Sequence, residues 1–175
     1  MSKVSIIIPT YQQTYLNETL LSLTNQTVKD FEVIISENPV VEESTRDLIG
    51  NYSDELDIRI VQSSAGANNA RNTGIAFSRY DTIALLDDDC KPADDWVVKI
   101  VKVLKDTTVS CVGGRVNLNY DKQITNLQSQ YLTGINWGYT LGYRPLQQNE
   151  YIASCNLAFR KNVYYSVGGF NTNLG

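Results

Sequence analysis

The chain has 175 residues, 42% of them apolar and 19% charged, so it can bury a core of its own and is too apolar for a disordered tail. Fifteen Lys and Arg against nineteen Asp and Glu leave a formal charge of -4 with no basic cluster, which argues against a nucleic-acid partner. Histidine is absent, which removes Ser-His-Asp and Cys-His nucleophiles, histidine general bases and histidine-ligated zinc or haem.

Met1-Ser2-Lys3 leads straight into Val4 to Ile8, a short β-branched run closed by Pro9 that reads as a strand buried on both faces. No apolar stretch of a signal peptide precedes it, and no segment reaches the roughly 18 apolar residues of a membrane span. The expected location is therefore the cytoplasm, the cytoplasmic face of a membrane included. Leu16, Leu20 and Leu23 recur at helical spacing, with Thr14 available as N-cap. Phe31 to Ile35 reads as a second buried strand, Glu42 to Tyr52 as a weak helix and Ile58 to Val61 as a third strand. Asn68 to Phe77 is expected to be helical, with Gly74 thinning one face for close approach to a sheet.

Thr82 to Leu86 is the next strand, followed at once by Asp87-Asp88-Asp89. After Pro92, Trp96, Val97, Ile100, Val101 and Leu104 form one apolar stripe, with Asp94 and Asp95 at the start and Lys99, Lys102 and Lys105 further along, as the helix dipole favours. Strands alternating with helices at this spacing imply an α/β fold with a mostly parallel sheet flanked by helices. Val109 to Val112 and Arg115 to Leu118 read as strand around Gly113-Gly114. Asn119 to Glu150 is polar but holds Tyr131, Trp137, Tyr139 and Tyr143, which suits a cover for an exposed sheet edge or a segment facing substrate. Cys90, Cys111 and Cys155, spaced by 21 and 44, fit neither a zinc knuckle nor a disulfide framework and read as buried thiols in a reducing compartment.

In an open parallel sheet, ligands gather beyond the carboxyl ends of the strands. Here those ends carry Pro9-Thr10-Tyr11, Glu37-Asn38, Ser63 to Gly66 and Asp87-Asp88-Asp89. No G-x-G-x-x-G follows the first strand and no G-x-x-x-x-G-K-[ST] occurs, which disfavours dinucleotide oxidoreductases and P-loop enzymes. Three successive carboxylates repel one another by about 1 kcal/mol per close pair in water and about 4 kcal/mol in a partly buried cleft. As an isolated triplet they would be a solvated turn capping the next helix. At the end of an apolar strand they instead suit a hard divalent cation, Mg2+ or Mn2+, bound by carboxylates and substrate phosphate oxygens.

Val4-Ser5-Ile6-Ile7-Ile8-Pro9-Thr10-Tyr11, Phe31 to Ile35, Gly66 through Ala70-Arg71-Asn72-Thr73-Gly74-Ile75 and Leu85-Leu86-Asp87-Asp88-Asp89 together resemble, in order and spacing, the family 2 inverting glycosyltransferases of GT-A fold. Asn156 to Arg160 and Val167-Gly168-Gly169-Phe170 resemble that family's acceptor-side segment. The resemblance implies a GT-A, Rossmann-like domain over 1–175, with 1–118 binding the nucleotide-sugar donor and 119–175 an incomplete acceptor side. It implies transfer of a sugar from a nucleoside diphosphate, UDP by expectation, to a saccharide or lipid-linked acceptor with inversion, as in polysaccharide biosynthesis.

By the same resemblance, Pro9, Thr10 and Tyr11 embrace the base, and Glu37 stands where the family usually has an aspartate bonded to uracil. Ser36-Glu37-Asn38-Pro39 departs from the family's Asp-Asp-Gly-Ser, so Glu37 reaches further or base selectivity is altered. Arg71 faces the nucleotide, either ordering the aspartates or approaching a phosphate, with a structural ion pair as the plainer role. Asp87 and Asp89 match the Asp-X-Asp acids, Asp89 on the metal and Asp87 nearer the ribose while sharing the metal, and Asp88 is the variable middle residue. The general base is expected a short way beyond Gly168-Gly169-Phe170, where only Asn171 to Gly175 remain, with Glu150 and Asp121 as weak substitutes. A chain ending before its base would bind donor and transfer sugar poorly. A sugar nucleotidyltransferase is the competing enzyme, disfavoured because Pro9 to Gln13 lacks a glycine-rich, arginine-bearing loop. A catalytically silent domain that binds sugar nucleotides is the competing non-enzyme.

Overall fold

The computed structural model describes residues 2–11, 14–37, 43–117 and 152–174. Strand β1 spans Val4–Thr10, β2 Phe31–Glu37, β3 Ile58–Gln62, β4 Thr82–Leu85, β5 Cys111–Gly113 and β6 Leu157–Arg160. Helix α1 spans Leu16–Thr24, α2 Glu43–Gly50, α3 Ala67–Phe77, α4 Trp96–Leu104 and α5 Lys161–Ser166, and a 3-10 turn occupies Ser154–Asn156. They build one six-stranded sheet in the order β3-β2-β1-β4-β6-β5. The pairs β1–β2, β1–β4 and β2–β3 are parallel, while β6 runs antiparallel to both β4 and β5. The expected α/β sheet is thus present, parallel through four strands and antiparallel at one edge.

The apolar runs explain the layering. Along β1, Val4, Ile6 and Ile8 alternate onto one face and pack with Leu16, Leu20 and Leu23 of α1, Ile49 of α2 and the Trp96, Val97, Ile100, Val101 and Leu104 stripe of α4. Ile7 points to the other face, with Ile34, Ile75 of α3, Ile83, Leu85 and Phe159. A strand with helices on both faces must be apolar on both, which is why β1 and β2 read as continuous hydrophobic runs. Gly74 has the expected role: a Cβ built there would lie 2.3 Å from Ile7 Cγ2, so only glycine lets α3 lie this close to β1.

Several expectations shift. Thr14 is not at the cap of α1; Tyr15 holds that position without a side-chain capping bond, because the helix begins one residue later than the cap assignment required. The fourth helix starts at Trp96, so Asp94 precedes it and Asp95 is at its cap, with Lys99 Nζ 2.7 Å from Asp95 Oδ2. Extended structure near residue 110 is limited to Cys111–Gly113 and 115–117 lie outside any strand, because β5 has only β6 to pair with. Cys111, on that edge, is exposed, and Cys90 and Cys155 are only half-buried, which corrects the expectation of three buried thiols. Asn38, Leu118, Asp121, Tyr131, Trp137, Tyr139, Tyr143 and Glu150 lie outside the described residues.

Candidate functional site

From β1 the chain proceeds to β2 and β3 on one side, then crosses back to place β4 on the other, so the carboxyl ends of β1 and β4 flank a topological switch point. An open cleft of about 370 Å³ lies there, lined by Pro9, Thr10, Tyr11, Gly66, Ala67, Ala70, Arg71, Asp87, Asp88 and Asp89. Seven of the eight residues singled out from the sequence therefore meet in one cavity. Glu37 is the exception. It ends β2 in register with Thr10 and Gln62, its side chain is buried, and it is not among the lining residues. Its carbonyl accepts hydrogen bonds from Ser63 N at 2.8 Å and Ser63 Oγ at 2.7 Å, which fasten the loop entering α3.

The three carboxylates have different surroundings. Asp87 Oδ1 is 3.2 Å from Arg71 Nη2, which also donates to Ser154 Oγ at 3.2 Å, while Arg71 Nη1 donates to Asn68 Oδ1 at 3.1 Å. Arg71 is therefore a strut between α3, the end of β4 and the 3-10 turn. Asp88 accepts a short hydrogen bond from Thr10 Oγ1, and its carbonyl accepts one at 2.9 Å from Thr19 Oγ1 of α1. Asp89 is exposed, and its carboxylate faces the thiol of Cys90 at 3.6 Å. Burial pushes the Asp87 carboxyl above its ordinary range; Arg71 pulls it down, and the charges of Asp89 and Asp88 push it up again. Electrostatically, the site holds more negative charge than one guanidinium relieves.

Sequence reasoning missed Ala67, Ala70, Ser154 and Thr19. The small residues at the start of α3 had a signal in their size, since Gly66 at φ 107° and the two alanines leave the first turn of an 11-residue helix open to the cleft. Thr19, fully buried between the leucines of α1, was a polar interruption in an apolar stripe. Ser154 had no signal, because its part depends on how β6 returns beside β4.

Among the described residues no three Cys, Asp or Glu side chains converge into a ready metal cage. The donor set still fits a hard cation held jointly with a ligand. Asp87 and Asp89 offer oxygens to the cleft, Asp88 is engaged by Thr10, and an ion that keeps an incomplete protein shell completes it with phosphate oxygens. Among the described residues no helix is long and apolar enough to cross a membrane.

A family model described as glycosyl transferase family 2 matches residues 5–168. Glycosyltransferase AglE of Haloferax volcanii is 30% identical over 186 residues, covering 98% of this chain and 57% of the relative. Among solved structures, S. aureus TarS 1-349 in complex with UDP superposes with a TM-score of 0.77 at 16% identity, covering 98% of this chain and 51% of that one. The mannosyltransferase PcManGT of Pyrobaculum calidifontis, in complex with GDP-Man and Mn2+, gives 0.69 at 21% identity, covering 99% and 48%. This chain thus spans about half the length of these proteins, and its fold is the GT-A fold expected from the sequence.

Proposed function

Because this chain belongs to glycosyl transferase family 2, we propose that it binds a nucleoside-diphosphate sugar, UDP-linked, in the cleft between β1 and β4 and delivers the sugar to a saccharide or lipid-linked acceptor with inversion. In this reading residues 1–118 hold the donor and 119–175 contribute to the acceptor side, and the chemistry takes place in the cytoplasm, on or off a membrane surface. The observation that carries the reading is the triplet Asp87-Asp88-Asp89 opposite Arg71 in a cleft at the switch point, with Asp87 held above its ordinary carboxyl range by burial. The ligands of two structural neighbours support the reading: TarS was solved in complex with UDP and PcManGT with GDP-Man and Mn2+.

The chemistry follows from charge. In an inverting displacement the acceptor oxygen attacks the anomeric carbon from the face opposite the diphosphate, and the electrons of the breaking sugar–oxygen bond go to the diphosphate. A divalent cation held by Asp89 and Asp87, Mn2+ or Mg2+, would neutralise the charge that develops there. Arg71, buried except for 13% of its side chain, supplies a fixed positive charge beside Asp87, and its Nε makes no hydrogen bond among the described residues. The first turn of α3 presents backbone N–H groups and the positive end of the helix dipole at Gly66 and Ala67, as suits a phosphate. Tyr11, 67% exposed at the rim, has a ring available to cover a base. Thr10, by engaging Asp88, leaves the two outer carboxylates for the cation.

Calorimetry of UDP with manganese and with excess chelator tests this. Chelation should weaken UDP by about tenfold or more, worth ~1.4 kcal/mol, and Asp89→Ala should erase the difference between the two conditions. Equal affinity with and without metal in the wild type would sink the metal assignment. UDP binding without any donor hydrolysis would favour a silent nucleotide-sugar-binding domain.

A further inference from the structure

Cys90 and Cys155 are far apart in sequence, yet the fold brings them together behind the carboxylates. The antiparallel register of Leu85 with Leu157 carries the chain beyond β4 alongside the turn that precedes β6, so the loop of residues 87–90 faces residue 155. The loop is closed by the Cys90 N–H on the Asp87 carbonyl at 3.2 Å. The opposing turn is fastened on both sides of Cys155: Ser154 Oγ accepts from Arg71 at 3.2 Å and Asn156 Oδ1 from Trp96 Nε1 at 2.8 Å. The two thiols are neighbours, each shifting the other's acidity, Cys90 upward and Cys155 downward, while the Cys90 S–H is directed at Asp89 Oδ1 at 3.6 Å. Both are half-buried, so a small reagent can reach them. Cys111 is a natural control. It is exposed and pairs with Phe159, four residues beyond Cys155, about 10 Å away along strand and turn, whereas a disulfide needs Cα atoms within about 7 Å.

We propose that Cys90 and Cys155 form a reversible dithiol–disulfide site oxidised by a low-molecular-weight disulfide, and that closing it weakens the adjoining nucleotide site. The second half rests on the function proposed above. In the first step one cysteine sulfur attacks the small disulfide, forming a mixed disulfide and expelling one small thiol. In the second, the other cysteine attacks the protein-bound sulfur of that mixed disulfide and expels the second small thiol. The two cysteine protons end on the two small thiols, and the pair of electrons lost by the cysteines reduces the small disulfide. Closure pulls the Cys90 sulfur toward the turn and away from Asp89 Oδ1, with which it is now 3.6 Å in contact, and ties the aspartate loop to the turn that receives Arg71.

The test uses the full chain, reduced and then incubated with oxidised glutathione, alkylated and mapped by peptide mass spectrometry. A linked Cys90–Cys155 peptide, reversed by dithiothreitol, is expected, with Cys111 recovered alkylated or glutathionylated. Cys155→Ser should stop at a glutathione adduct on Cys90. In a Cys111→Ser background, UDP with manganese should bind the oxidised form about tenfold or more weakly than the reduced form, as disturbance of groups adjoining metal ligands does. Recovery of the Cys90 and Cys155 peptides only as separate species would overturn the site. A linked protein with unchanged UDP affinity would overturn its effect on the cleft. If the reduced chain binds no UDP, the function reading and the nucleotide half fall together, while the linked peptide still decides the dithiol half.

Discussion

Replacing Gly74 by alanine should separate α3 from the sheet that it holds in place. The added Cβ would start 2.3 Å from Ile7 Cγ2, whereas carbon atoms in contact prefer about 3.5–4.0 Å, so the two must part by more than an ångström. Ile7 has little room to yield. It is fully buried in the central strand, β-branched and therefore stiff at χ1, and packed among Ile34, Ile75, Ile83 and Leu85. Overpacking of this kind costs about 1–3 kcal/mol, here toward the upper end, against about 1 kcal/mol gained by replacing glycine in a helix interior. The net expectation is a loss of about 1–2 kcal/mol.

Gly50→Ala is the internal control, because Gly50 closes α2 with nothing within 4 Å of a built Cβ. That variant should gain up to about 1 kcal/mol. Urea denaturation followed by circular dichroism reads both, and at about 2–4 °C per kcal/mol for a chain of this size the two melting temperatures should diverge by several degrees. Gly74→Ala should also loosen UDP, since Arg71 lies one turn earlier on the helix that must lift. If the two alanine variants prove equally stable, the packing argument for α3 is wrong.

Asp87→Asn should raise the melting temperature while abolishing metal-assisted UDP binding. The folded Asp87 carboxyl is pushed above its unfolded range by burial, so its contribution to stability is present at low pH and lost as pH rises, a loss that a neutral amide escapes. Glu32 should behave in the opposite sense. Burial alone would raise it, but hydrogen bonds from Ser5, the Arg79 backbone and side chain, and Arg59 together hold its folded carboxyl below its ordinary value. Its stabilisation is present above that value and lost as pH falls through the lowered one. Glu32→Gln should cost about 2–3 kcal/mol at neutral pH, at or below the low end for buried pairs because both arginines keep one side in water, and should flatten the acid limb of a denaturation profile. Asn72→Leu should expose residues 168–170 to proteolysis without changing cleavage elsewhere, because the Asn72 amide alone accepts from Tyr164 Oη and the Phe170 N–H and donates to the Phe170 carbonyl. An unchanged digest would refute that role.

The parallel part of the fold was legible in the sequence because each strand buried on two faces must be apolar at every position and each flanking helix on one stripe. Ile6, Ile7 and Ile8, or the Trp96 to Leu104 stripe, satisfy only one arrangement. The antiparallel edge was not legible. Leu157 to Arg160 is short, and its strand character comes from β4 and β5 beside it, a long-range pairing that no local pattern announces. The site shows the same division. Thr10, Arg71 and the aspartates could be named because strand ends and an acidic triplet are local signals, whereas Ser154 and the meeting of Cys90 with Cys155 depend on the return of a distant segment. Glu37 ends β2 with its side chain buried and is not among the residues lining the cleft, so its part at the base rests on the resemblance alone.

The two ends of the sheet treat negative charge differently. Near the amino end of β2, Glu32 is fully buried yet met by two guanidiniums, a backbone N–H and a hydroxyl, so every lone pair has a donor and the charge serves packing. At the carboxyl end of β4, three adjacent carboxylates share, among the described residues, one ion pair to Arg71, and burial drives Asp87 toward its protonated form. A fold maintained for stability alone would gain by neutralising that end, as the Asp87→Asn expectation states. On the function proposed above, the missing positive charge would arrive with the ligand, as a cation that accompanies the anionic diphosphate into the cleft.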